Sequence, residues 1–71
     1  MLKKTATQLM LEAQRHKDIE DIMLDVLERY RATPNMVQDC CEDLNVSRGA
    51  FYGWAKDFGI SITSYHYAAT R

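Results

Sequence analysis

The chain has 71 residues, of which 46% are hydrophobic and 27% charged, and its net charge is −1. This composition is typical of one small globular domain spanning 1–71, since the chain contains no repeat, low-complexity tract or linker. No apolar run approaches the ~20 residues of a membrane span, and no uninterrupted apolar stretch follows the N-terminal lysines as in a signal peptide. We therefore expect a cytoplasmic protein with no membrane partner.

The small net charge hides an uneven distribution. Residues 1–17 carry four basic residues against one acidic residue, and residues 44–71 carry three against one, so both ends are positive. Residues 18–43 carry two basic residues against eight acidic ones. Because local potential governs phosphate binding, a net charge of −1 does not exclude a polyanionic partner.

Two helices are predicted in 5–31. The first covers about Thr5 to His16, and its apolar residues share one side at helical spacing: Leu2, Ala6, Leu9, Met10 and Ala13. The second follows Asp18, a suitable N-cap, and its apolar residues recur three and four apart: Ile19, Ile22, Met23, Val26, Leu27 and Tyr30. Whether the two helices are continuous through Arg15-His16-Lys17 stays open.

Two further helices are predicted in 34–59. Thr33 and Pro34 pair an N-cap residue with a proline at the first helical position, which predicts a third helix from Pro34 to about Asp43. Ser47 is the predicted N-cap of the fourth helix, and Gly59 its left-handed C-terminal residue.

The tail, 60–71, has a different character. Isoleucines alternate with Ser and Thr, and tyrosines follow, which favours extended structure. A strand there would need a second chain to pair with. The alternative is a partly ordered tail.

The adjacent cysteines, Cys40 and Cys41, are predicted to be reduced, with at least one of them buried. Together with the distant His16 and His66 they do not form a recognisable zinc set. We expect no metal and no cofactor. Since no catalytic group of residues is apparent either, we expect neither an enzyme nor a small-molecule substrate.

The spacing from Val37 to Lys56 fits a helix-turn-helix, so we expect a small all-α domain in which this C-terminal unit follows the N-terminal helices. Its inward positions are all apolar, at Cys40, Leu44, Val46, Phe51 and Trp54. Cys41 is small where the two helices should approach, and Asn45 tolerates the left-handed conformation that the turn needs. Phe51 and Trp54 are interpreted as core residues rather than as a base-stacking platform.

The opposite face of the fourth helix is the candidate DNA-binding surface. Arg48 can bind guanine or phosphate, Tyr52 phosphate or a thymine methyl, and Lys56 phosphate. Two glycines on the same face would let the helix backbone approach a groove wall. The candidate DNA-binding residues are Ser47, Arg48, Gly49, Tyr52, Gly53 and Lys56, with Asn35 and Gln38 on the preceding helix.

The stretch 27–60 resembles the C-terminal DNA-binding half of the factor for inversion stimulation (Fis) family. Val46-Ser47-Arg48-Gly49 and Phe58-Gly59-Ile60 are similar to two signatures of that family, and similar short proteins occur in temperate phages. The resemblance implies a bacterial homodimer, in the cytoplasm or nucleoid, that binds and bends DNA in transcription or recombination. It also implies that Arg48 makes the main contact. Because the last helix has fewer cations than is usual in the family, we expect a shallower salt dependence.

A homodimer is also expected from the residues themselves, since a core this small rarely suffices alone and 5–31 carries surplus apolar surface. The dimer would place two copies of the last helix about 34 Å apart, one turn of duplex. The alternative function is a protein–protein interaction module that uses the same fold to bind another regulatory protein.

Overall fold

The computed structural model describes residues 3–66. Its helices are α1 (Ala6–Arg15), α2 (Ile19–Tyr30), α3 (Met36–Leu44), α4 (Arg48–Phe58) and the short α5 (Ile62–His66). Residues 3–66 contain no strand, so the predicted all-α fold class is confirmed. Within this part of the chain, no helix combines the length and the apolar character that crossing a membrane would require.

The first two helices are separate. A capping box begins α1, in which the Gln8 N–H donates to Thr5 Oγ1 at 3.1 Å and the Thr5 N–H donates to Gln8 Oε1 at 2.9 Å. The helix ends at His16, which has a left-handed backbone with φ of 57°. Asp18 is the N-cap of α2, as predicted, but the Ile19 N–H donates to Glu12 Oε2 at 2.7 Å. The carboxylate that covers this helix end therefore comes from α1.

The core is built around α2, which packs against α1, α3 and α5. The apolar residues predicted for this helix are buried, except Tyr30, which is partly buried. They meet Met36 and Cys40 of α3 and Phe51 of α4, all 1% exposed or less. The apolar face of α2 is thus used inside the protomer.

The apolar stripe predicted on α1 faces away from this core. Leu9 and Met10 are 53% and 54% exposed, and Ala6 and Ala13 are exposed beside them, while Leu2 lies outside the described residues. The core side of α1 is formed instead by Leu11 and Gln8. Of the predicted dimerisation segment 5–31, it is therefore α1 that leaves an apolar face uncovered.

The predicted start of the third helix at Pro34 is wrong, because α3 begins at Met36 after a turn over residues 31–35. The Thr33 N–H and hydroxyl both donate to the Tyr30 carbonyl, at 3.0 Å and 2.9 Å. Thr33 therefore closes the end of α2 and cannot cap α3. Asn35 is the N-cap of α3.

The extended structure predicted for the tail is also wrong over the described residues. Gly59 is left-handed with φ of 69°, and the Ile60 N–H then donates to the Ala55 carbonyl at 2.8 Å. This turn brings Ile60 and Ile62 against the core, and α5 begins at Ile62. Burial of the isoleucines outweighs their preference for a strand, which has no sheet to join here. Residues 67–71, with Tyr67, lie outside the described part, as does the Tyr65 side chain.

One carboxylate joins α1, α2 and the end of α3. Asp43 accepts from Arg15 Nη2 at 2.7 Å, from Tyr30 Oη at 2.5 Å and from Arg29 Nη1 at 3.3 Å. The hydrogen bond from Tyr30, followed by that from Arg15, lowers the pKa of Asp43, and the same bond to Asp43 raises the pKa of Tyr30. This cluster sets the position of α1 relative to α3.

Candidate nucleic-acid interface

The turn between α3 and α4 has the predicted geometry. Asn45 is left-handed, with φ of 57° and ψ of 50°. The Val46 N–H donates to the Cys41 carbonyl at 3.0 Å, and the Asn45 N–H to the Glu42 carbonyl at 3.2 Å. Two residues later, Ser47 Oγ accepts from the Ala50 N–H at 3.1 Å and caps α4. A three-residue connection thus ends one helix and begins the next.

The residues predicted to lie between the two helices do so. Cys40, Leu44, Phe51 and Trp54 are buried, and Val46 is partly buried. Phe51 and Trp54 are therefore core residues, as expected, and they fix which side of α4 faces inward.

Both cysteines are free and buried, as the sequence predicts for at least one of them. Burial raises the pKa of the Cys40 thiol to about 12, and that of Cys41 is also raised by burial, with the Arg48 guanidinium opposing the shift. The thiols are thus protonated near neutral pH, and Cys40 Sγ donates to the Val26 carbonyl at 3.4 Å. They act as packing groups.

The outer face of α4 is open. Ser47, Arg48 and Lys56 are exposed, and Tyr52 is 51% exposed although it is a large aromatic. Among the described residues, a Cβ placed on Gly49 or Gly53 would meet nothing within 4 Å. Core packing therefore does not require either glycine, and a surface without side chains at these two positions can approach a partner closely.

Gln38 of α3 lies across a groove from the outer face of α4. A groove of about 560 Å³ runs between α3 and the start of α4, and its lining includes Gln38, Glu42, Ser47 and Arg48. Gln38 Nε2 donates to Glu42 Oε2 at 3.2 Å. Asn35 is exposed at the N-cap of α3, three residues before Gln38. The structure therefore brings Gln38 together with Ser47 and Arg48.

Sequence reasoning missed three charged residues beside α4. Glu42 lines the groove just described, and its spacing of four from Gln38 was a signal that could have placed it. Lys3 and Lys4 line a second groove, of about 300 Å³, together with Gly53 and Asp57. No local sequence pattern links residues 3 and 4 to residue 53, because only the packing of α1 brings them together.

Among the described residues, no group of three or more His, Cys, Asp or Glu side chains is arranged to hold a metal ion. His16 is exposed at the end of α1, and the side chain of His66 lies outside the described part. Comparison of the chain with models of protein families, with curated proteins and with solved structures gave no match in any of the three.

Proposed function

We propose that this chain is a double-stranded DNA-binding protein, a homodimeric Fis-like regulator of transcription or recombination that inserts α4 into the major groove. The observation that carries the proposal is the open face of α4. A helix packed on one side by Phe51 and Trp54 presents two glycines, a tyrosine and two cations on the other. A helix-turn-helix reads DNA with the exposed side of its second helix, whose N-terminal residues contact base edges, and Arg48 is the residue of α4 at that position.

Arg48 is the residue assigned to base or phosphate recognition. It is the first residue of α4 and is exposed, so its guanidinium can reach a guanine edge as a bidentate donor or a phosphate oxygen. The first turn of a helix has N–H groups without intrahelical partners. Since Ser47 already binds that of Ala50, those of Arg48 and Gly49 are left for a phosphate.

Tyr52 and Lys56 follow Arg48 at spacings of four, so they lie along one side of the same helix. Lys56 supplies a phosphate contact, and the Tyr52 hydroxyl supplies another or its ring contacts a thymine methyl. Gln38, across the groove from Arg48, supplies a contact from α3, and Asn35 at the α3 N-cap supplies a further one.

The homodimer is assigned to the outer face of α1. Its four exposed apolar positions recur at helical spacing, with the larger side chains in the centre and alanines at both ends. Two copies related by a twofold axis can pack these faces together, placing alanine opposite alanine. Pairing would also double the few cations that one copy of α4 offers.

Binding to a mixed-sequence duplex, followed by fluorescence anisotropy over a range of salt concentrations, tests the proposal. The wild-type affinity should fall as the salt concentration rises, because each phosphate contact contributes about 0.9 to the slope of log Kobs against log salt. Arg48→Ala should cost about 1–3 kcal/mol per site, or roughly 5- to 150-fold.

Arg31→Ala is the matched control, since Arg31 is not among the candidate DNA-binding residues and pairs with Glu28 at 3.1 Å, so its loss should leave binding unchanged. Circular dichroism should show equal helicity for both variants. A wild-type chain that binds no duplex at low salt contradicts the proposal and favours the protein-interaction module.

A further inference from the structure

The outer face of α4 is a ridge between two grooves. On one side lies the groove toward α3, which contains Gln38 and Arg48. On the other side Ala50, Gly53 and Asp57 recur three and four apart, and they line the groove that contains Lys3 and Lys4. The N-terminal segment thus forms a second wall beside α4, opposite the wall formed by α3.

The position of this wall is set by the capping box of α1. The reciprocal hydrogen bonds between Thr5 and Gln8 fix the direction in which the chain enters the helix, and Gln8 is only 5% exposed. Lys4 Nζ binds Glu12 Oε2 at 2.8 Å, and the same carboxylate oxygen accepts from the Ile19 N–H. Lys4 is therefore tied to the α1–α2 corner, whereas Lys3 is exposed one residue earlier.

We infer that Lys3, positioned by Lys4, contacts a phosphate of the DNA strand that lies on the side of α4 away from α3. The inference rests on the proposed function. A helix in the major groove has a sugar–phosphate backbone on each side, and only one of these faces α3. The other backbone faces the wall formed by Lys3 and Lys4, which we call the lysine wall.

Three features make this groove suited to phosphate. Lys4 is paired with Glu12, so Lys3 is the lysine of this groove whose charge is left for a phosphate, and Asp57 is the one carboxylate in the groove lining. Gly53 presents no side chain between the lysines and the outer face of α4. The contact also adds a cation where α4 itself has only Arg48 and Lys56, and phosphate binding depends on the number of such contacts.

Two pairs of variants test the contact by the same duplex titration. Lys3→Gln removes the proposed contact, and Lys17→Gln is its control, because it changes net charge equally but Lys17 does not line this groove and its Nζ lies 3.9 Å from Asp25 Oδ2. Lys3→Gln should lower the slope of log Kobs against log salt by about 0.9 per protomer, and Lys17→Gln should lower it far less.

Asp57→Asn removes the anion of the groove and should tighten binding by about two- to fivefold. Asp21→Asn is its control, since Asp21 is exposed in the first turn of α2. Thermal unfolding of each variant shows whether the fold is retained.

Equal slopes for Lys3→Gln and Lys17→Gln overturn the inference, even where Arg48→Ala still weakens binding as expected and the proposed function stands. A wild-type chain that binds no duplex overturns both. A lower slope for Lys3→Gln alone, with tighter binding by Asp57→Asn, supports the lysine wall.

Discussion

The outer faces of α1 and α4 are both left uncovered by the same core, yet they have opposite chemistry. On α1 the exposed centre is Leu9 and Met10, each more than half exposed. On α4 it is Tyr52 with two glycines and the cations Arg48 and Lys56. An apolar face gains free energy only by meeting another apolar surface, whereas a bare cationic face gains it from a polyanion. We therefore propose a second copy of the chain as the partner of the first face and DNA as the partner of the second.

The largest expected effect comes from placing a charge in the α1 face. Leu9→Glu should weaken dimerisation by about 3 kcal/mol or more, because two carboxylates would be buried unpaired in a twofold interface. Folding of the protomer should be unaffected, since Leu9 is 53% exposed and glutamate is a good helix former. Analytical ultracentrifugation measures the dissociation constant.

Gln14→Glu is the control for this variant, because Gln14 is exposed on α1 beside the apolar stripe rather than within it. It should leave the dimer intact. A wild-type chain that sediments as a monomer at high concentration would contradict dimerisation through the outer face of α1.

The next effect concerns Asp43, the carboxylate that joins α1 and α2 to the end of α3. Asp43→Asn should destabilise the fold by about 1–3 kcal/mol, because the carboxylate that joins Arg15, Tyr30 and Arg29 loses its charge. Since the pKa of Asp43 is lowered in the folded state, its contribution is complete above its ordinary value of 3.8 and is lost as the pH falls through the folded value. Urea unfolding of wild type and variant at a series of pH values checks this.

The difference in the free energy of unfolding between wild type and Asp43→Asn should stay constant in mildly acidic and neutral solution and become smaller below pH 3.8. The pKa of Tyr30 is raised, so the contribution of Tyr30 to stability depends on pH in the opposite direction. Its contribution is complete below its ordinary value of 10.0 and is lost as the pH rises through the folded value. A difference that is independent of pH in the acid range would show that Asp43 does not join the helices as a carboxylate.

The glycines of α4 give effects of opposite sign on folding and binding. Gly49→Ala and Gly53→Ala should each stabilise the fold by about 0.5–1 kcal/mol, because a methyl group at either position meets open space. If the backbone of α4 approaches a groove wall here, the same changes should weaken duplex binding. Thermal unfolding and anisotropy on the same samples measure both.

Ala50→Gly is a useful control in the same helix, since it lowers helix propensity on the flank of α4 rather than on its outer face. This variant should destabilise the fold without preventing the close approach of the α4 backbone to DNA. Should the two alanine variants bind DNA as well as wild type, the glycines would have no role in approach.

Local signals in the sequence predicted α4 and its turn because the deciding residues act through their own backbone neighbourhood. Ser47 binds an N–H three residues later, and Asn45 and Gly59 adopt positive φ where few other residues do so at low cost. The inward residues of the unit followed from spacing alone. The exposed positions of α4 were predicted for the same reason.

What the sequence could not decide depends on contacts made over a distance. Thr33 and Pro34 have the pattern of a helix start, but Thr33 binds the Tyr30 carbonyl behind it instead. The apolar stripe of α1 was predicted, but whether it meets the core or solvent is decided by the packing of α2. Likewise, Lys3 reaches α4 only through the tertiary fold.

Two substitutions at Asn45 test the turn on which the α4 face depends. Asn45→Ala should destabilise the fold by about 1 kcal/mol, because an alanine at φ of 57° brings its Cβ close to the following carbonyl oxygen, and it lacks the asparagine side chain that eases this conformation. Asn45→Gly should lie within about 0.5 kcal/mol of wild type, since glycine adopts this φ without strain but adds flexibility to the unfolded chain. Urea unfolding measures both. Because Asn45 is not among the residues proposed to contact DNA, the folded fraction of Asn45→Ala should bind duplex as wild type does. A loss of affinity in the folded protein would mean that Asn45, which lines the groove beside Arg48, itself belongs to the interface.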